Sequence, residues 1–187
     1  MSSPTVESAG PSTAVRAVTG SDRYLTFTLN EEMFALDIFH VTEILEHRNL
    51  TVVPMMPAFI RGVINLRGRV VPVIDLAIRF GRGETTIARR TSIIIVHIDD
   101  VDPEGGPEVD GEAGRTQDIG ILVDSVNEVV QLGDDEIEPA PAFGAGIRTD
   151  YIAGMAKREN DFTIVLDIDR VLSLSELTAH EGGAAAG

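Results

Sequence analysis

Residues 59–80 and 151–172 of this chain are degenerate copies of each other. Setting FIRGVINLRGRVVPVIDLAIRF over YIAGMAKRENDFTIVLDIDRVL brings Ile60 onto Ile152, Gly62 onto Gly154, Val70 onto Phe162, Val73 onto Val165 and Asp75 onto Asp167, all at an offset of 92. A second pair, FALDIFHVTEIL (34–45) and IGILVDSVNEVV (119–130), matches at an offset of 85, with Ile38 on Val123, Val41 on Val126 and Glu43 on Glu128. Both offsets keep chain order, so the chain reads as two related halves. The repeat is too long for a solenoid unit. It implies a duplicated small domain with a groove between the copies.

Local patterning makes that domain all-β. RYLTFTL (23–29) alternates in strand fashion, and MFALDI (33–38) follows a short turn, so the two form a hairpin. VTEILE (41–46) reads as strand from its β-branched content and its repeat partner. VPMMPAF, with Pro54 and Pro57, is irregular. VINL and RVVPVI flank Arg67-Gly68 as a second hairpin, with Pro72 implying an edge or a bulge. DLAIRF (75–80) predicts a helical turn capped by Asp75. TSIIIVHI (91–98), DIGILVDSVNEVVQL (118–132, bent near Asp124-Ser125) and DFTIVLDI (161–168) read as further strands, and DIDRVLSLSELTA as a terminal helix. Five or so short strands per half suit a small closed barrel, which leaves no exposed edge. The expected organisation is a leader (1–20), a first barrel half (21–82), a second half (83–177) with an acidic loop at 99–118, and a tail (178–187), open to exchange of strands between halves.

Charge excludes several partners. The net charge is −15, which repels phosphate backbones and anionic lipid, so nucleic acid is not an expected partner. The distribution is uneven: residues 61–90 hold seven arginines against Asp75 and Glu84, whereas 99–118 hold eight acids against Arg115. With no cysteine, disulfides and thiolate metal sites are excluded. No secretory signal is visible, and the longest apolar run is too short to span a bilayer, so the reading is a cytoplasmic protein without membrane insertion.

Catalytic chemistry finds no support. His40, His47, His97 and His180 lack metal-ligand spacing, and no nucleophile-elbow, phosphate-loop or dinucleotide motif occurs. Capping explains the repeated Asp75 and Asp167. Asp37 and Glu43 have no acid–base partner in view. What remains is a binding module.

The blocks YLTFTLNEEMFALDIFHVTEILE, PAFIRGVINLRGRVVPVIDLAIRF, IGILVDSVNEVVQL and IEPAPAF, spread between Arg23 and Leu177, resemble the CheW family of bacterial chemotaxis coupling proteins. FIRGVINLRGRVVPVIDL is the most specific of them. The resemblance implies two intertwined five-stranded SH3-like β-barrels with short helices and a C-terminal helix, no enzymatic activity and no cofactor or metal. It implies a scaffold recruited to membrane receptor arrays, with two partners: the cytoplasmic tip of methyl-accepting chemotaxis receptors and the regulatory domain of the histidine kinase CheA. By the same resemblance the receptor groove takes Val41, Glu43, Arg67, Gly120 and Val129, and the loop EIEPAPAF makes a ring-forming kinase contact through Phe143. Two departures stand out: the 99–118 loop is longer and more acidic than the family pattern, and Glu138 stands where related sequences can carry a basic residue. Alternatives are an adaptor of another motility or sensory pathway, or a small-ligand-binding or enzymatic twin-barrel protein.

Each site residue also has a plainer reading. Arg67 is then a turn arginine in water, Val41 and Val129 are core, and Gly120 marks a bulge or close backbone approach. Glu43 is then an ordinary outward strand residue. The sharper reading puts it in a local ion pair with Arg67 that a receptor helix rearranges, and its mate Glu128 suggests a shared structural role, with pairing across the barrels.

Overall fold

The computed structural model describes residues 22–100, 115–140 and 147–173. The expected leader and tail, Phe143 and the centre of the acidic segment lie outside the described residues.

The first expected hairpin is present as β1 (Arg23–Leu29) and β2 (Glu32–Asp37), joined through Asn30 and Glu31 with φ of 49° and 66°. A 3₁₀ turn over Ile38–His40, capped by Asp37 accepting from the Phe39 amide, leads into β3 (Val41–Glu46). The proline-containing segment stays irregular until β4 (Ile60–Leu66) and β5 (Arg69–Asp75). These pair as the second hairpin, and Arg67 and Gly68 at its tip have φ of 53° and 81°. Two consecutive left-handed residues match the right-handed twist of flanking strands. Asn65 Oδ1 accepts from the Gly68 amide at 2.9 Å and tightens the turn.

Asp75 ends β5 and caps α1 (Leu76–Arg79), as the sequence predicts. It does more than cap. It is fully buried, and it accepts from the Ala77 amide, the Thr85 amide and hydroxyl, and the Arg61 guanidinium. A buried carboxylate is tolerable only with its oxygens satisfied and its charge matched. This one fixes the chain after α1 back onto β4.

The second half follows with β6 (Ser92–Asp100), β7 (Arg115–Val123), β8 (Ser125–Gln131), β9 (Ile137–Glu138), β10 (Ile152–Arg158), β11 (Asp161–Leu166) and α2 (Ile168–Val171). Three expectations need correction here. Residues 99–100 and 115–118 are strand, paired as Asp99 with Thr116 and Asp100 with Arg115, so the loop is shorter than 99–118. The strand read as 118–132 is two strands, and the break at Asp124 moves the chain from one sheet to the other. The terminal helix is a single described turn capped by Asp167, and residues beyond 173 lie outside the described part.

The two halves interlock. The first sheet runs β8-β1-β2-β11-β10-β9 and the second β3-β6-β7-β5-β4, so each draws strands from both halves. Parallel pairs, β2 with β11 and β5 with β7, join the halves in each sheet. Pro72 lies one residue before the β7 ladder begins at Val73, which is how a proline sits inside this strand.

Each sheet closes on itself. After β3 the chain runs on to Thr51, which bridges Val63 on the far edge strand β4. After β8 it runs on to β9, which pairs with β10. That closing pair makes the first sheet six strands rather than five. Gly62 and Gly154 lie at these crossings. A Cβ on Gly62 would stand 2.6 Å from the Thr51 carbonyl oxygen, and one on Gly154 would strike Ile137 and stand 2.9 Å from the Glu138 carbonyl oxygen. The repeated glycine is therefore what lets the closing segment come in.

Three apolar clusters follow from this geometry. The largest, with Phe27, Phe34, Leu36, Ile94, Ile121 and Leu166, lies between the sheets. Leu45, Ile64, Val71, Ile93, Ile95 and Leu122 fill the second barrel, and Tyr24, Ala35, Val130, Leu132, Ala156 and Val165 fill the first.

Candidate functional site

The β4–β5 turn projects Arg67 toward β3. Its guanidinium lies 3.1 Å from Glu43 Oε2, with 75% of the arginine side chain exposed. Glu43 Oε2 is shielded from solvent and makes no aligned hydrogen bond, so this is a charge contact with unused hydrogen-bonding capacity. β3 and β4 are the two edge strands of the second sheet. The pair thus straddles the closure, at the rim of that barrel.

The same turn carries a second charged group. Arg69 lies 3.2 Å from Asp118, which also contacts His97 Nδ1 at 2.9 Å. Hence two arginines and two carboxylates sit side by side on the hairpin tip and the strands it leans against.

The other expected site residues are placed unevenly. Val41 is half-buried against the central core, and a register shift separates it from Glu43. Gly120 is buried in β7, in register with Ile95 and through it with Glu43. A Cβ there would stand 3.0 Å from both Ile93 Cγ2 and Val73 Cγ2, so the glycine admits close packing beneath the row that ends at Glu43. Val129 is on β8 in the first sheet, 51% exposed and in register with Leu25. It therefore lies in the other sheet from the β4–β5 hairpin that carries Arg67.

The repeat shows what pairs with what. Glu128, the mate of Glu43, lies 3.5 Å from Arg158 of the β10–β11 hairpin. Each glutamate thus meets an arginine at the end of the hairpin in its own sheet. The expected pairing across the barrels is replaced by one pair within each.

Sequence reasoning missed several exposed apolar side chains. Ile44, beside Glu43 and related to Val129 by the repeat, is exposed. So are Phe39 on the 3₁₀ turn, and Val52, Met55 and Met56 on the segment after β3, with Met55 97% exposed at a φ of 63°. The offset of 85 would have found Ile44 from Val129. The others carry no periodic signal.

Among the described residues no three histidine or acidic groups converge as metal ligands. Burial pushes the Tyr24 phenol above its usual range, helped by Asp37, and the Gln131 amide holds Asp22 below its own. Both lie at the start of the first sheet, away from Arg67.

Comparison with known proteins agrees with this architecture. The CheW-like domain family model matches residues 23–176. The chemotaxis protein CheW of Klebsiella aerogenes is 33% identical over 85% of this chain and 86% of its own length. That of Bacillus subtilis is 34% identical over 81% of this chain and 86% of its own length. The crystal structure of the scaffolding protein TtCheW from Thermoanaerobacter tengcongensis superposes with a TM-score of 0.65 at 35% identity, covering 81% of this chain and 87% of that one. A match across most of the folded chain, in sequence and in structure, makes this chain a member of the CheW-like domain family.

Proposed function

We propose that this chemotaxis scaffold couples methyl-accepting receptors to the histidine kinase CheA, without catalysis of its own. The observation that carries the reading is the Glu43–Arg67 contact. A guanidinium held on a tight turn offers a fork to a carboxylate, and here its partner oxygen is close but poorly aligned. A receptor helix bearing a carboxylate therefore competes for Arg67 on favourable terms. The exposed Ile44 on the edge strand β3 supplies apolar area for that helix. Val41 and Gly120 act from beneath by fixing the strands. Val129 belongs to the matching surface of the other barrel and is proposed as the far edge of the receptor contact. The ring-forming kinase contact through Phe143 is kept on the family resemblance alone. Recruitment to receptor arrays at the membrane follows from the receptor contact.

The test is Arg67→Glu in a co-sedimentation assay with a receptor cytoplasmic fragment and kinase. Reversing an interface charge costs on the order of a few kcal/mol. Receptor binding falls at least tenfold on that basis, while kinase binding and melting temperature stay put. Normal receptor binding by a folded variant refutes the reading.

A further inference from the structure

The first sheet carries a groove that takes no part in the Glu43–Arg67 surface. It is open, with a volume of about 1230 Å³, and passes the tips of the β1–β2 and β10–β11 hairpins and β9. Met33, Leu132, Met155 and Phe162 give it an apolar floor, and Phe162 leaves 54% of its surface exposed. The repeat mate of Phe162 is Val70, also exposed, so the position points outward in both hairpins and only this one carries a ring. An exposed ring in a concave, partly apolar setting is the form of an interface anchor.

The rim is acidic. Glu31, Glu32, Glu136, Glu138, Glu159 and Asp161 border the groove, against Lys157 and Arg158. Arg82 pairs with Glu32, and Arg158 with Glu128. That leaves five carboxylates on the rim with Lys157.

We infer that this groove binds a basic segment of another protein, rich in Lys and Arg and carrying one or two large apolar anchors. Charge complementarity selects that chemistry, because an apolar anchor flanked by cations satisfies floor and rim together. The net charge of −15 selects another molecule over a second copy, since it draws in cations and repels a like-charged chain. The chain's own remaining segments do not fit either: residues 1–21 hold one arginine and one glutamate, and 101–114, 141–146 and 174–187 hold no Lys or Arg. This site stands independently of what docks on Arg67, while Glu136, Glu138 and Pro139 belong to the EIEPAPAF segment that the family resemblance gives to the kinase contact.

The experiment uses the full chain and a short labelled peptide with Lys and Arg around Leu and Phe anchors, followed by fluorescence anisotropy. Glu136→Gln with Glu138→Gln weakens binding about tenfold, the loss of charge contacts at an interface. Gln keeps the Glu136 oxygen that accepts from the Gly133 amide, so the fold is spared. Phe162→Ser weakens it by about tenfold as well, as for loss of an aromatic anchor. Neutralising two acids elsewhere, Glu46→Gln with Asp99→Asn, changes it less than about twofold, as for rim charges outside a contact. A peptide of equal charge with alanine in place of its anchors binds poorly. Equal losses from groove and off-groove variants mean diffuse adhesion to an acidic surface and overturn the proposal. So does self-association of the wild-type chain in sedimentation that Phe162→Ser abolishes, since the groove then serves a second copy.

Discussion

Replacing Gly62 with alanine tests how the second barrel closes. Gly62 has a φ of 155°, and a Cβ there would stand 2.6 Å from the Thr51 carbonyl oxygen. That oxygen accepts from the Val63 amide at 2.9 Å, while the Thr51 amide donates to Val63 at 3.0 Å. The new methyl cannot fit unless Thr51 retreats, and a retreat breaks both bonds. Each contributes about 1 kcal/mol net, and the backbone conformation adds about 1 kcal/mol for a residue with a Cβ. The sum is about 3 kcal/mol, which lowers the melting temperature of a chain this size by roughly 6–12 °C. Gly68→Ala is the internal control. Its φ is 81°, but a Cβ there meets nothing within 4 Å, so only the conformational cost of about 1 kcal/mol applies. Gly154→Ala falls between the two, because it crowds Ile137 and Glu138 without a left-handed φ. Thermal unfolding followed by far-UV circular dichroism gives the order Gly62→Ala, Gly154→Ala, Gly68→Ala, most to least damaging. If Gly62→Ala melts no lower than Gly68→Ala, the close approach is not what requires the glycine and the closure argument fails.

Three further outcomes follow from the same geometry. Asp75→Ala leaves Arg61 and Thr85 without their buried acceptor and costs about 3–5 kcal/mol, read from denaturant midpoints; a loss below about 1 kcal/mol would show that water replaces the carboxylate. Tyr24 holds its proton more tightly folded than unfolded, so its contribution to stability is complete below the ordinary tyrosine value of 10.0 and declines as pH rises through the raised folded value; Tyr24→Phe should flatten the alkaline fall in melting temperature, and an identical fall in both proteins would discount it. Deleting 102–113 with a short Gly-Ser link should leave folding and receptor binding intact, whereas deleting 100–117 also removes residues of β6 and β7 and should lower the melting temperature; equal stability of the two would show that the strand ends contribute little.

Local pairings were readable from the chain because alternation and turn residues report them directly. Arg67-Gly68 marked its hairpin, and Asp75 marked the helical turn that it caps. Sheet membership was not readable. Periodicity records which face a residue takes, not which sheet receives it, so β7 and β8 read as one bent strand although Asp124 divides them between sheets. The grouping of Val129 with Arg67 came from the family resemblance and not from any local pattern. Gly62 and Gly154 stood out through the repeat, but the reason expected of such a glycine, a positive φ, holds only for Gly62; at Gly154 the crowding comes from β9, a strand of two residues with no pattern to read. Buried Gly120 could not be told from an exposed glycine, since a residue without a side chain leaves no hydrophobic signal.

The exchange of strands between halves sets the order in which a nascent chain can complete its sheets. The second sheet has all its strands once residue 123 has been synthesised, because β7 is the last it needs. The first waits for β11, which ends at Leu166, although its opening strands β1 and β2 are the earliest made. For more than a hundred residues of synthesis, β2 therefore presents an unpaired edge that only the C-terminal hairpin can cover. A ribosome stalled before β11 would hold one finished barrel and an open three-stranded sheet, β8-β1-β2, which is the species a chaperone would meet.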